Sequence, residues 1–158
     1  FLAGIIMAFN RPFSIGDTIM TGAVEGTITE MSLRDTHIKT FDGKDVYVPN
    51  SQIIKTPLYN YTTDGHLRKS FDIGLEYGTD IEATRSIILD AVNTTPGILQ
   101  EEKSATTLIK NLGASTINIQ VQYWVNTFNK QYTTEEINSQ AIKKTLNALE
   151  SAQINLPK

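Results

Sequence analysis

A β-hairpin signal in the segment 38–48 constrains the fold of this chain more than any other feature of the sequence. Two runs rich in strand-forming residues flank Asp42-Gly43. This pair favours a tight turn because glycine accepts a positive φ without a Cβ clash. Upstream, the apolar alternation changes phase between Ile28 and Met31, which predicts a β-bulge near Thr29-Glu30. We therefore expect the first half to form a small, strongly curved, barrel-like β domain.

The second half of the chain combines alternating apolar runs with capped helices. Apolar residues recur at every second position over 71–77 and 117–125, which predicts two strands with one buried face each. Thr79-x-x-Glu82 and Thr133-x-x-Glu136 have the form of capping boxes before amphipathic helices. In the second helix, the residues expected to face the core are Ile137, Ala141, Ile142, Leu146 and Leu149. With a last short strand over 153–156, the order of elements predicts a ferredoxin-like β-α-β-β-α-β domain.

The other face of the predicted sheet carries polar side chains. Along the strand over 116–125 these are Asn118, Gln120 and Gln122, followed by Trp124. A solvated face normally carries Lys and Glu, so uncharged amides favour an interface or an enclosed aqueous space. A plain solvent face is an equally good interpretation on propensity alone.

The composition argues against several classes of function. The chain has no cysteine and only two histidines, His37 and His66, which have no partner at the spacing of metal ligands. It contains no nucleophile elbow, phosphate-binding loop or pair of carboxylates in a catalytic motif. Its net charge is −3, whereas binding to a phosphate backbone requires Lys and Arg. We therefore predict a protein that is not an enzyme, with no metal, no cofactor and no nucleic-acid partner.

An almost wholly apolar segment, residues 1–9, precedes the corner Asn10-Arg11-Pro12-Phe13. The segment is too short to cross a bilayer, which takes about 20 apolar residues. Pro12 cannot continue a helical ladder and moves Arg11 out of the α region, so the chain must turn there. On these residues alone a core helix is the favoured interpretation. The alternative is the end of a helix at a membrane surface, where anionic lipid would favour Arg11.

An ordered set of short motifs carries a family resemblance. The motifs are Arg11-Pro12-Phe13-x-x-Gly16-Asp17, Gly22-x-Val24-x-Gly26-Thr27-Ile28, Asp42-Gly43-Lys44, Val46-x-Val48-Pro49-Asn50-x-x-Ile53-Ile54 and Leu112-Gly113-Ala114-Ser115-x-Ile117-Asn118. In this order and spacing the chain resembles the small-conductance mechanosensitive (MscS-like) ion channel family over essentially its whole length.

The resemblance implies a domain layout. Residues 1–12 would be the end of a pore-lining transmembrane helix and its corner, 13–62 an Sm-like β domain, and 63–158 a ferredoxin-like α/β domain. With it, the membrane interpretation of residues 1–9 becomes the favoured one, and the chain is expected to be the soluble part of a longer protein. The resemblance also implies a homo-oligomer, usually a heptamer, which encloses a vestibule with side portals on the cytoplasmic side of a bacterial-type inner membrane.

Individual residues acquire expected roles from the same resemblance. The end of the pore helix would comprise Leu2, Ala3, Gly4, Ile5, Ile6, Ala8 and Phe9. The membrane-interface corner would comprise Asn10, Arg11, Pro12 and Phe13. The loop Pro49-Asn50-Ser51 would couple the pore helix to the β domain, and a simple turn is its alternative. Tyr59, Asn60 and Tyr61 are candidates for a portal rim, although anchoring of the linker between the domains is the favoured explanation.

The function that the resemblance implies is that of a membrane-tension-gated ion channel that releases ions and small solutes on hypo-osmotic shock. Its expected partners are further copies of the chain, the lipid bilayer and the permeating ions and solutes. The alternative is an Sm-like and ferredoxin-like RNA-binding module, since both folds bind RNA elsewhere.

Overall fold

The structure, a computed structural model, describes residues 12–100, 103–129 and 131–157. The chain divides into two compact units, with the boundary between Gly65 and His66.

The first unit is an antiparallel sheet with one short helix. Its strands are β1 (Thr18–Thr21), β2 (Val24–Met31), β3 (Asp35–Thr40), β4 (Asp45–Pro49) and β5 (Leu58–Asn60), and helix α1 spans Asn50–Ile53. The strand order in the sheet is β4-β3-β2-β1-β5. One cluster of buried apolar side chains forms its core: Phe13, Ile19, Ile28, Ile38, Val48 and Ile53.

Two predictions for this unit are confirmed. Strands β3 and β4 form the hairpin, and Gly43 takes a φ of 86° in its turn. The register between β2 and β3 shifts between Ile28 and Glu30, at the predicted bulge. Close to the bulge, β2 also needs a glycine, because a Cβ at Gly26 would lie 2.2 Å from the carbonyl oxygen of Lys39. The unit is the β-rich domain that the sequence predicts, while its Sm-like form stays a prediction.

The second unit packs two helices against a three-stranded antiparallel sheet. Its elements are β6 (His66–Glu76), α2 (Ile81–Asn93), β7 (Thr106–Leu112), β8 (Thr116–Asn126) and α3 (Thr134–Ser151). The strand order is β6-β8-β7, so β8 is paired on both sides. Side chains of β8 and both helices share one buried core, which includes Ile88, Val121, Tyr123 and Ile137. The order strand, helix, strand, strand, helix is confirmed.

The last predicted strand is wrong, since residues 154–157 form no strand in the described chain. Helix α3 ends in a Schellman motif, in which Gln153 has a φ of 58° and its N–H donates to the Glu150 carbonyl. The N–H of Ile154 donates back to the Leu149 carbonyl at 3.0 Å. The Ile154 N–H, which would have to pair with a neighbouring strand, is therefore already bonded to the end of the helix. Ile154 and Leu156 instead pack, half-buried, against the core.

The two predicted capping boxes have different outcomes. Thr133 caps α3 as predicted: its hydroxyl accepts from the Glu136 N–H, and the Glu136 carboxylate accepts from the Thr133 N–H. The box at Thr79 is wrong, because α2 begins one residue later and Asp80 accepts from the Ala83 N–H at 3.1 Å. The Thr79 hydroxyl donates to the Glu76 carbonyl instead.

The apolar face of α3 is also narrower than predicted. Ile137, Ala141, Thr145 and Leu149 are buried, whereas Ile142 and Leu146 are 41% and 40% exposed. Four-residue spacing keeps the first set on one stripe, and Ile142 and Leu146 lie beside that stripe. They line a groove of about 400 Å³ together with Phe71 and Leu156.

The cap of α2 can be tested with two neighbouring substitutions. Asp80→Ala removes the side-chain acceptor at the helix N-terminus and is expected to lower the free energy of unfolding by about 1 kcal/mol. Thr79→Ala removes a hydroxyl outside the helix and is expected to cost less than about 0.5 kcal/mol. Urea denaturation measures both values. A larger loss of stability in Thr79→Ala than in Asp80→Ala would show that Thr79 is the cap.

Candidate functional site

Asn50 lies at the centre of the predicted coupling loop and is only 2% exposed. Its Oδ1 accepts from the Thr36 hydroxyl at 2.9 Å, and its Nδ2 donates to the Ser32 carbonyl at 2.9 Å. Its backbone N–H donates to the Arg34 carbonyl, also at 2.9 Å. Asn50 therefore fastens the β2–β3 loop to the end of β4. A buried carboxamide with both ends satisfied acts as a fixed strut.

A surface groove of about 310 Å³ lies over this strut. The lining residues are Leu33, Arg34, Asp35, Tyr47, Pro49, Asn50 and Ser51. Leu33 and Tyr47 are large apolar side chains exposed at 59% and 64%. The Tyr47 ring stacks on His37, with centroids 4.4 Å apart. Asn50 thus forms the floor of the groove, and its neighbours present the accessible surface.

A second polar cluster ties the start of the first unit to its end. The Asp17 carboxylate accepts from the Ser14 N–H at 2.9 Å, from Asn60 Nδ2 at 2.9 Å and from the Thr62 hydroxyl at 3.1 Å. The Thr62 oxygen in turn accepts from the Thr18 N–H. Tyr61 continues the β1–β5 pairing, because its N–H donates to the Thr18 carbonyl. Partial burial raises the pKa of the Tyr61 hydroxyl.

The polar face of the second sheet is a connected hydrogen-bond network. Gln122 donates to Gln120, and Gln120 donates to Asp72 on β6. Lys110 reaches across β8 to bind Asp72 at 2.6 Å, and this hydrogen bond holds the pKa of Asp72 below its usual range. The polar residues of β8 are half-buried rather than exposed. The predicted amide face is thus present and internally paired.

An aromatic contact extends the same face toward the end of β8. Lys103 Nζ lies 4.2 Å from the Trp124 ring centroid, in a cation–π contact. Trp124 follows Gln122 by two residues, so both side chains lie on one face.

The structure places the predicted site residues in different environments. Leu2–Phe9, Asn10 and Arg11 lie outside the described residues. Pro12 is exposed, and Phe13 is buried in the core of the first unit. Tyr59 is exposed, whereas Asn60 and Tyr61 are half-buried in the Asp17 cluster. Their roles as a corner, a coupling loop and a portal rim stay predictions.

Two searches of the described residues bear on other functions. No described helix has the length and apolarity to span a bilayer. In the same part of the chain, no group of three His, Cys, Asp or Glu side chains is arranged to hold a metal ion. His37 binds Asp45 at 3.1 Å beside Lys39, which is an exposed surface contact.

Two family models match the chain in consecutive segments. The model described as "Mechanosensitive ion channel, beta-domain" matches residues 1–63. The model described as "Mechanosensitive ion channel MscS, C-terminal" matches residues 70–156. The class that fold and sequence define is therefore the β domain and C-terminal domain of a mechanosensitive ion channel.

Curated relatives point the same way. The chain is 33% identical over 126 residues to the mechanosensitive channel MscK of Escherichia coli, which covers 79% of the chain and 11% of MscK. It is 30% identical over 144 residues to the small-conductance mechanosensitive channel MscMJ of Methanocaldococcus jannaschii, which covers 87% of the chain and 40% of MscMJ. The chain thus spans less than half the length of these relatives.

Solved structures share the fold. The crystal structure of Helicobacter pylori MscS in its closed state matches with a TM-score of 0.87 at 25% identity, over 99% of this chain and 60% of that one. Arabidopsis thaliana MSL1 matches with a TM-score of 0.78 at 21% identity, over 99% of this chain and 57% of that one, which shows a common fold. The chain belongs to the MscS family of mechanosensitive ion channels. This is a family of channels rather than enzymes, and these relatives do not support the RNA-binding alternative.

Sequence reasoning missed two features of the site. Asp17 belongs to the first motif, but the sequence alone assigned no role to it. It gave no role to Ser32 and Thr36, the hydrogen-bond partners of Asn50. Partners that lie 14 and 18 residues away in the sequence leave no local pattern.

The strut can be tested by removing its side chain. Asn50→Ala leaves the Thr36 hydroxyl and the Ser32 carbonyl without their partner, and is expected to lower the free energy of unfolding by about 1–3 kcal/mol. Ser51→Ala, one residue along and exposed, is the matched control and should change stability by less than about 0.5 kcal/mol. Urea denaturation measures the free energy of unfolding of both variants. Equal losses of stability would contradict the role of Asn50 as a strut.

Proposed function

We propose that this chain forms the cytoplasmic vestibule region of a membrane-tension-gated channel that releases ions and small solutes on hypo-osmotic shock. The supporting observation is the pair of consecutive matches to the β domain and the C-terminal domain of MscS channels. Membrane stretch favours the state that occupies more area in the plane of the bilayer. The vestibule would anchor the ends of the pore helices and act as a coarse sieve.

On this proposal residues 1–9 are the end of the pore-lining helix, and the corner 10–13 lies at the membrane interface. Phe13 supports an anchoring role for the corner. Its side chain is 2% exposed and packs in one cluster with Ile19, Ile28 and Ile38. A displacement of the corner would have to move the sheet with it, because a packed core resists deformation.

We place the coupling between helix and β domain at the groove over Asn50. Since Asn50 is buried, contact with the pore helix would come from the exposed side chains at the rim, above all Leu33 and Tyr47. The role of Asn50 would be to hold the β2–β3 loop in the position that presents Leu33. An apolar helix end and an apolar rim are complementary in character.

The polar face of the second sheet is our candidate for a wall of the vestibule. Its half-buried amides are paired with one another, which suits a surface in contact with water and solutes. The remaining parts of the proposal are a homo-oligomer, with a heptamer as in the family, contact with lipid at the corner, and a portal rim at the exposed Tyr59.

Patch recording of the complete gene product in a membrane tests the channel function. We expect currents that open under suction and close on its release, and survival of osmotic downshock in cells that lack their own such channels. Absence of suction-activated current from inserted protein would overturn the proposal. A salt-dependent mobility shift with single-stranded RNA would instead favour the RNA-binding alternative.

The groove can be tested separately with two exposed apolar residues. Leu33→Asn is expected to change the closing or recovery time course at least about twofold, because it places an amide where the helix end would pack. Phe41→Asn, at the tip of the β3–β4 hairpin, is the control, since Phe41 is 67% and Leu33 59% exposed. Both variants should keep their stability within about 0.5 kcal/mol. Identical gating in the two variants would exclude the groove as the coupling surface.

A further inference from the structure

We infer that Asp17 is a positioning residue that couples the pore-helix corner directly to the linker that leaves the β domain (residues 63–65), an inference that rests on the proposed channel function. The group of side chains and N–H donors around it, Ser14, Asp17, Asn60 and Thr62, is called the Asp17 clamp below.

The clamp brings together two ends of the first unit. Asp17 and Thr62 are 45 residues apart in the sequence, and Asn60 and Asp17 are 43 apart. Ser14 follows the corner directly, and Thr62 lies shortly before the boundary between the units at Gly65 and His66. One carboxylate therefore contacts Ser14, the first residue after the corner, and both Asn60 and Thr62 at the end of the first unit.

The chemistry of the clamp is that of a carboxylate held by neutral donors. Oδ2 accepts from the Ser14 N–H and from Asn60 Nδ2, and Oδ1 shares the hydrogen of the Thr62 hydroxyl with Asn60 Oδ1. The ion pairs found among the described residues do not include Asp17. Hydrogen bonds to an ionised acceptor are about twice as strong as neutral ones. Two such hydrogen bonds and a third, shared one hold the carboxylate in one orientation.

The rest of the connection between entry and exit is short. Strand β5 has three residues, and its pairing with β1 extends only from Thr21↔Leu58 to Ile19↔Asn60. The clamp continues this pairing by one further step on the side of the corner, through Tyr61 N–H to Thr18 O and Thr18 N–H to Thr62 Oγ1. A three-residue strand alone is a weak support. We therefore assign to the clamp the task of keeping β5 and the linker in register with the corner.

The consequence for gating is a direct mechanical route. A displacement of the corner that reaches Ser14 is transmitted through one side chain to Asn60 and Thr62. The other connections are the short pairing of β1 with β5 and the chain itself, which passes through β1, β2, β3 and β4. Loosening the clamp should therefore change how the linker follows the corner, while the core of the sheet, which does not contain Asp17, stays packed.

A reciprocal exchange of the two side chains tests the clamp. Asp17→Asn replaces an acceptor by a carboxamide, and Asn60→Asp sets two carboxylates against each other. The double variant restores a donor–acceptor pair between positions 17 and 60, and the new carboxylate at position 60 still accepts from Thr62, as Asn60 Oδ1 does now. Asp42→Asn, at an exposed carboxylate of the hairpin turn, is the control.

Amide hydrogen exchange in this chain is the first readout. Each single variant should accelerate exchange at the N–H groups of Thr18 and Thr62 at least tenfold, and the double variant should return them to within about threefold of the original rate. The N–H group of Ile38 in the core, which makes no contact with the clamp, should be unchanged in all variants. Equal exchange in all variants, or a double variant as fast as the single ones, would overturn the clamp.

The suction needed to open the complete gene product is the second readout. Each single variant should shift it, the double variant should restore it, and Asp42→Asn should leave it at the original value. Faster exchange without a shift in the opening suction would overturn the coupling role and leave the channel function intact. Absence of current from the unaltered protein would contradict the proposed function instead, and the exchange readout would still decide whether the clamp exists.

Discussion

In both sheets one face is covered by apolar side chains, and this one-sided burial fixes the register of the strands that contribute buried residues to it. Strand β8 is the clearest case, because buried residues alternate with half-buried ones along its whole length. A slip by one residue would place Asn118, Gln120 and Gln122 in the core and expel Ile119, Val121 and Tyr123. Burial also raises the pKa of Tyr123 to about 12, and its hydroxyl donates to Asn138 on α3. The central strand thus specifies the positions of both its neighbours and the helix above it.

The predictions that held were those encoded by neighbouring residues. The Asp42-Gly43 turn, the bulge after Ile28 and the capping box at Thr133 each depend on a few adjacent side chains. The predictions that were wrong concern positions at which the local sequence is compatible with two structures. Thr79 and Asp80 are both good caps, and the competing hydrogen bond from Thr79 to the Glu76 carbonyl favours Asp80. At the end of α3, the left-handed backbone conformation falls on Gln153. A glycine at this position would have predicted the turn, whereas a glutamine does not.

The candidate site was predictable in position but not in mechanism. The motif around Pro49 drew attention to Asn50, yet only the fold reveals that this side chain is buried and bound to the β2–β3 loop. The surface residues that could contact another element, Leu33 and Tyr47, come from different strands or loops. The same holds for Ile142 and Leu146, because helical spacing alone does not show that they lie beside the buried stripe of α3.

The paired amides of the second sheet have a consequence for how this surface responds to dilution. The polar side chains of β8 carry no charge, and Lys110 and Asp72 neutralise each other across them. The Debye length grows from about 10 Å at 0.1 M salt to about 30 Å at 0.01 M. The electric field of a strongly charged surface would therefore extend further as the surrounding solution is diluted. The paired carboxamides of this face have no net charge whose field dilution would unscreen, and the cation of Lys103 lies at its Trp124 end. The hydration of the amide part of the face therefore stays nearly constant when ionic strength falls.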